Sequence, residues 1–290
     1  MAVWVKAAGS CGEMVQGVVD GQSFLITCPI DLYSEAVIIA QPDDWDSRAG
    51  YKTRAAVAGT LAYLGVSDSG FGVRITSAIP VGKGMSSSSA DISAACQAAA
   101  LYVGRRLTAD EIADIALTIE PTDAVFYDGI MMFDHVAGKL RRSLGVPPAM
   151  DILVFDAGGE VDTIAFNERL DLARLNKAKE EEVRRAADLV VTGLQQGDCR
   201  LIGAGATLSA LANQIILPKP CLETILTISA AYGSVGVTAA HSGTVVGVLF
   251  PAGAPQQDEC ISAVQERCGS AVQILCRTRL TAGGLTIEKG

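Results

Sequence analysis

Apolar positions along this chain recur with two periods, and the switching between them predicts a mixed fold. Residues 2–7, 23–29 and 32–40 are rich in β-branched side chains and punctuated by Gly, Pro and Asp, as strands are. Residues 48–64 carry a helical pattern that stops at Gly65. Residues 72–79 alternate Val73 and Ile75 with small or polar neighbours and stop at Pro80. An Ala-rich helix is predicted over 88–103. A second begins at the capping box Thr108-Ala-Asp-Glu111 and runs to about residue 119, where Pro121 ends it.

Beyond this point residues 130–133 and 138–142 read as a hairpin, and Pro147-Pro148 as a boundary. Residues 151–156 form an apolar run of strand length. Residues 170–195 read as one amphipathic helix whose mixed charges over 177–185 suit a solvated face. Two more helices are expected over 201–217 and 222–232, then a strand, turn and strand over 234–250 around Ala240-His-Ser-Gly-Thr244. A helix over 257–268 and a strand over 271–277 close the pattern. Separate clusters of helices and strands favour α+β over a doubly wound sheet.

Composition narrows the classes. A chain of 290 residues exceeds the usual single core, so two domains are expected, 1–148 and 149–290. With 49% hydrophobic and 19% charged residues the composition is that of a folded globular protein. The net charge of −9 weighs against a broad nucleic-acid surface, which must neutralise phosphates, but leaves room for a local nucleotide site. Mean hydropathy is +0.33, yet no apolar run approaches the roughly 20 residues that span a bilayer. The first residues lack the charged, apolar and cleavage regions of a signal peptide, so a cytoplasmic protein without membrane contact is expected. The eight cysteines are scattered with no C-x-x-C pair, which suggests buried reduced thiols and no zinc site.

The chemistry concentrates in Pro80-Val-Gly-Lys-Gly-Met-Ser-Ser-Ser-Ser89. A strand ends at Pro80, Gly82 and Gly84 allow a close backbone approach, and the serines open a helix. The free N–H groups and positive dipole end of that helix suit phosphate oxygens. Lys83 adds a charge, and the hydroxyls add hydrogen bonds or a place for Mg²⁺. The segment is not a P-loop, which would need Gly where Ser77 stands and Ser or Thr at Gly84. It is not a dinucleotide fingerprint either, since Ser87 replaces the third Gly. A Gly/Ser turn that merely caps a helix fits the same letters.

The pattern Pro80-x-Gly-x-Gly-Met-Ser-Ser-Ser resembles the central ATP-binding motif of the GHMP kinases. Other blocks resemble the bacterial L-threonine kinases of cobalamin synthesis and propanediol utilisation: Ser10-Cys-Gly-Glu-Met-Val-Gln-Gly17, Cys28-Pro-Ile-Asp-Leu-Tyr-Ser34, Glu120-Pro-Thr-Asp123, Phe133-Asp-His135, Leu217-Pro-Lys-Pro220 and Ala240-His-Ser-Gly243. The resemblance implies a two-domain α+β fold, its N-terminal half like domain 2 of ribosomal protein S5 and its C-terminal half ferredoxin-like. It also implies transfer of the ATP γ-phosphoryl group to L-threonine.

Carried over residue by residue, the resemblance assigns ATP to Pro80, Gly82, Lys83, Gly84, Met85, Ser86, Ser87, Ser88 and Ser89, and Mg²⁺ to Ser88 with Glu120. Asp123 matches an aspartate that accepts the hydroxyl proton. Ser10 stands where many family members place a lysine near that aspartate. Glu13, Asp31, His241, Ser242 and Gly243 are candidates for the substrate, Asp31 for its ammonium. Rival readings are a GHMP kinase of another small alcohol, such as homoserine or an isoprenoid precursor, and a non-catalytic binding protein. The oligomeric state stays open, a homodimer among the options.

Overall fold

The computed structural model describes residues 3–39, 50–67, 70–159, 161, 166 and 169–289. The outer ends of the predicted elements at 2–7, 32–40 and 48–64 lie outside these residues. Two long strands, β1 (Val3–Val19) and β2 (Gln22–Ile39), open the chain as a hairpin. Their turn, Asp20-Gly21, places both residues at positive φ, 50° and 76°. Helix α1 (Tyr51–Tyr63), strand β3 (Gly72–Ser77), helix α2 (Ser87–Tyr102) and helix α3 (Ala109–Leu117) follow. The Thr108–Glu111 capping box forms at α3 as the letters require.

The hairpin expected next is β4 (Ile130–Phe133) with β5 (Arg141–Gly145), three residues later than predicted at its second strand. Asp134 causes the delay, since its carboxylate accepts from the N–H groups of Val136, Ala137 and Lys139 and holds them in a loop. Strand β6 (Met150–Asp156) comes next. The helix predicted over 170–195 is instead two, α4 (Leu172–Ala178) and α5 (Glu180–Gln196), broken at Lys179. That lysine has left the helical surface and donates to the Gln16 carbonyl at 3.1 Å and to Asn213 Oδ1 at 2.6 Å.

Helix α6 (Cys199–Ala212) is capped by Asp198, and α7 (Leu222–Ala231), β7 (Gly236–Ala239), β8 (Val245–Pro251), α8 (Gln257–Cys268) and β9 (Gln273–Arg279) complete the expected series. A further strand, β10 (Leu285–Lys289), was not expected. Among the described residues no helix is long and apolar enough to cross a membrane.

One sheet joins ten strands among the described residues in the order β5-β4-β2-β1-β7-β8-β6-β9, with β10 on β1 and β3 on β2. All the pairings are antiparallel. Strand β1 changes partner along its length. Residues 3–7 pair with β10, whereas Glu13 pairs with Ala239 of β7. The change needs register shifts against β2 at Ala8/Gly9, Ser10/Glu13 and Glu13/Val15. Such irregularities re-aim side chains and gather beside functional sites.

Helix α2 is buried on most of its surface, and Ala94, Ala95, Ala98, Ala99 and Ala100 are fully buried. Small side chains let it lie close under β1 and β2. A second cluster, built on Leu153, Phe155, Phe250, Ile225 and Val264, seals β6 and β8 against α7 and α8.

Candidate active site

A cavity of about 370 Å³ opens where the start of α2 meets the irregular middle of β1. It is lined by Gly82, Gly84 and the serines 86–89 on one side, and by Glu13, Glu120, Asp123, His135, His241 and Ser242 on the other. The size suits a small ligand with part of a nucleotide.

Gly82 and Gly84 both sit at positive φ, 76° and 77°. Gly84 also has no room for a side chain, because a Cβ there would lie 2.6 Å from Ala240 Cβ and 2.8 Å from Gly243 Cα. The loop therefore locks against the turn between β7 and β8, and Thr244 N–H donates to the Lys83 carbonyl at 3.0 Å. The first turn of α2 lines the cavity with its serines, and the opening N–H groups of a helix lack intrahelical partners, the arrangement that binds phosphate.

Two carboxylates come from the turn after α3. Glu120 accepts the Ser88 hydroxyl, and its second oxygen pairs with Lys52 Nζ at 2.5 Å. Asp123 accepts the Ser86 hydroxyl at 2.6 Å, and its backbone N–H donates to Ser89 Oγ at 3.0 Å. Burial pushes the Asp123 carboxyl above the usual range, with Glu120 adding to the effect and the Ser86 hydrogen bond opposing it. Hydroxyl and carboxylate oxygens at Ser88 and Glu120 are hard donors of the kind Mg²⁺ takes.

Glu13 forms the far wall, 4% exposed, and accepts the His241 backbone N–H at 2.6 Å. Burial holds its carboxyl well above the usual range, and the charge of Asp123 raises it further. His241 packs edge-on against His135 and Phe166, at centroid distances of 5.0 and 5.1 Å. Burial pulls His135 down to about 4 and His241 well below its ordinary value, so both rings are neutral near pH 7. Behind them lie two buried lysines. Lys219 donates to the Gly243 carbonyl at 2.6 Å, and burial lowers it to about 8 against the pull of Glu13. Burial lowers Lys179 to about 7.

The structure thus gathers Gly82, Gly84, Met85, Ser86, Ser87, Ser88, Ser89, Glu120, Asp123, Glu13, His241 and Ser242 around one cavity. Other expected residues lie elsewhere. Lys83 turns away from the phosphate loop to pair with Asp156 at 2.8 Å, because that carboxylate is 9% exposed and would otherwise be buried without a cation. Asp31 is exposed and spent on β9, accepting the Thr278 hydroxyl and the Arg279 N–H, so it does not face an ammonium in the cavity. Ser10 stands one layer back, its Oγ 2.5 Å from Ser86 Oγ. Gly243 supports the loop from behind, and Pro80 lies beyond the end of β3 at Ser77 and does not line the cavity.

Lys52, Lys179 and Lys219 were missed by sequence reasoning. Lys52 stands alone in an ordinary helix, Lys179 sits in the charge run over 177–185 that reads as a solvated face yet is buried, and the only local signal was Lys219 between two prolines.

Comparison with known proteins agrees with this geometry. Residues 52–129 match the model of the GHMP kinases N terminal domain. The chain is 35% identical over 249 residues to an L-threonine kinase of Salmonella typhimurium, covering 84% of this chain and 82% of the relative. It is 32% identical to an L-threonine kinase of Citrobacter freundii, covering 86% of each. Its fold matches the homoserine kinase of Cytophaga hutchinsonii with a TM-score of 0.75 at 15% identity, over 99% of this chain and 97% of that one. With the α+β architecture, the serine-lined helix start and these relatives in agreement, the chain belongs to the GHMP kinase family.

Proposed function

We propose that this chain transfers the γ-phosphoryl group of ATP to the hydroxyl of L-threonine, giving O-phospho-L-threonine and ADP. One observation carries the reading: a phosphate-type loop and helix start share a cavity with the partly buried carboxylate of Asp123. The identity to L-threonine kinases across most of the chain supports the choice of acceptor.

ATP phosphates lie on the backbone of Gly82 and Gly84 and the first turn of α2. The acceptor sits between Asp123 and Glu13. As its hydroxyl oxygen bonds to the γ-phosphorus, Asp123 takes the hydroxyl proton, and the bond to the β,γ-bridging oxygen breaks to release ADP. Glu13 faces the ammonium of the amino acid, and His241 and Ser242 close the wall beside it. Ser88 and Glu120 would hold Mg²⁺, which neutralises phosphate charge when bound.

The proposal places the cleft between an ATP-binding half, 1–148, and a second half, 149–290. It also assigns the product to the aminopropanol linker of cobalamin and the enzyme to the cytoplasm, as the resemblance implies.

A coupled ADP-release assay with L-threonine, L-serine, homoserine and mevalonate tests the reading. L-Threonine is expected to turn over fastest. Turnover of another alcohol with threonine inert overturns the substrate, and ATP binding without ADP release on any alcohol overturns the kinase.

A further inference from the structure

Ser86 occupies an uncommon backbone conformation for a serine. Among the described residues only Asp20, Ser86 and Cys221 combine a side chain with positive φ. Asp20 belongs to the tight β1–β2 turn. Ser86 precedes α2 at φ 58° and ψ 26°, where glycine sits at no steric cost and a Cβ does not.

A serine before a helix ordinarily caps it by accepting a first-turn N–H. Ser86 makes no such bond. Its hydroxyl instead donates to Asp123 Oδ2 at 2.6 Å and lies 2.5 Å from Ser10 Oγ. Since the Ser86 proton goes to the carboxylate, Ser10 is the donor in that second contact. Ser10 is fully buried, and its own N–H is fixed on the Met85 carbonyl at 2.9 Å. The two hydroxyls form a directional chain that ends on one oxygen of Asp123.

Resting on the kinase reading above, we propose that Ser86 is a positioning residue. It accepts a strained backbone in order to aim Asp123, with Ser10 orienting its hydroxyl, so that Asp123 Oδ1 is left for the acceptor. The acceptor proton moves to Asp123 as the new O–P bond forms and the bridging P–O bond breaks. Ser86 and Ser10 keep their own protons throughout.

The test compares wild type with Ser86→Gly, Ser10→Ala and the double variant, measuring kcat, both KM values and thermal unfolding. Ser86→Gly is expected to unfold at the same or a higher temperature and to keep both KM values within about threefold. Its kcat is expected to fall about 10–100-fold, the range for a hydrogen bond to a charged group. If Ser10 acts only through Ser86, the double variant loses no more than Ser86→Gly alone. An unchanged kcat in Ser86→Gly, additive losses in the double variant, or a lower unfolding temperature with a matching rise in KM overturns the proposal. A wild type inert with L-threonine overturns the substrate reading instead. The ratios are then read with whichever alcohol the wild type phosphorylates.

Discussion

Asp123 and His135 show how burial sets the chemistry of single residues here. Asp123 is held from three directions, by Ser86, by Ser89 and by the turn after Pro121. Asp123→Ala is expected to lower kcat by about 10²–10⁴-fold, the contribution of a positioned proton acceptor, while calorimetry finds ATP affinity within a few-fold of wild type. An unchanged rate refutes the assigned role.

His135 is buried with no hydrogen-bond partner on Nδ1 among the described residues, and its folded-state value is about 4 against about 6.5 in an unfolded chain. Its depressed value means the unfolded state binds the extra proton first. The stability it contributes is present above pH 6.5 and lost as pH falls towards 4. Denaturant titrations should find a shallower loss over that window in His135→Asn than in wild type. Equal slopes contradict the buried, neutral ring.

Elements differ in how far the letters alone disclose them. The loop into α2 was legible because glycine pairs, a proline stop and a serine run are local signals. So were α3, through its capping box, and β6, through its apolar run. Three features were not legible, because their causes lie far along the chain. The middle of β1 bulges where it changes partner from β10 to β7. The helix over 170–195 breaks at Lys179 because Gln16, 163 residues away, accepts its ammonium. The left-handed backbone at Ser86 is stabilised by Ser10 and Asp123, which no periodicity announces.

The contact between loop and turn also belongs to this scale. Gly84→Ala adds a Cβ at φ 77° against Ala240 and Gly243, both on the opposing turn. It is expected to cost about 1–3 kcal/mol of stability and to raise the KM for ATP at least tenfold. Normal ATP saturation with normal unfolding contradicts the locked geometry.

In the whole molecule the site arises where one sheet passes from strands before residue 40 to strands after residue 235. Acidic groups at Glu13, Glu120 and Asp123 face the serine-lined start of α2, while the net charge of the chain is −9. On the proposed reading the phosphates meet N–H groups, hydroxyls and a helix end, with Lys52 as the nearby cation on Glu120. The positions of Lys83 and Asp31 could not be read beforehand. A lone charge in a sequence does not disclose which buried partner will claim it, and here Asp156 and β9 do so.

The most direct measurement is mass spectrometry with phosphorus NMR on the protein incubated with ATP, Mg²⁺ and L-threonine. The account predicts O-phospho-L-threonine and ADP in equal amounts, both lost in Asp123→Ala. ADP without phosphothreonine, or phosphothreonine at an undiminished rate from Asp123→Ala, contradicts it.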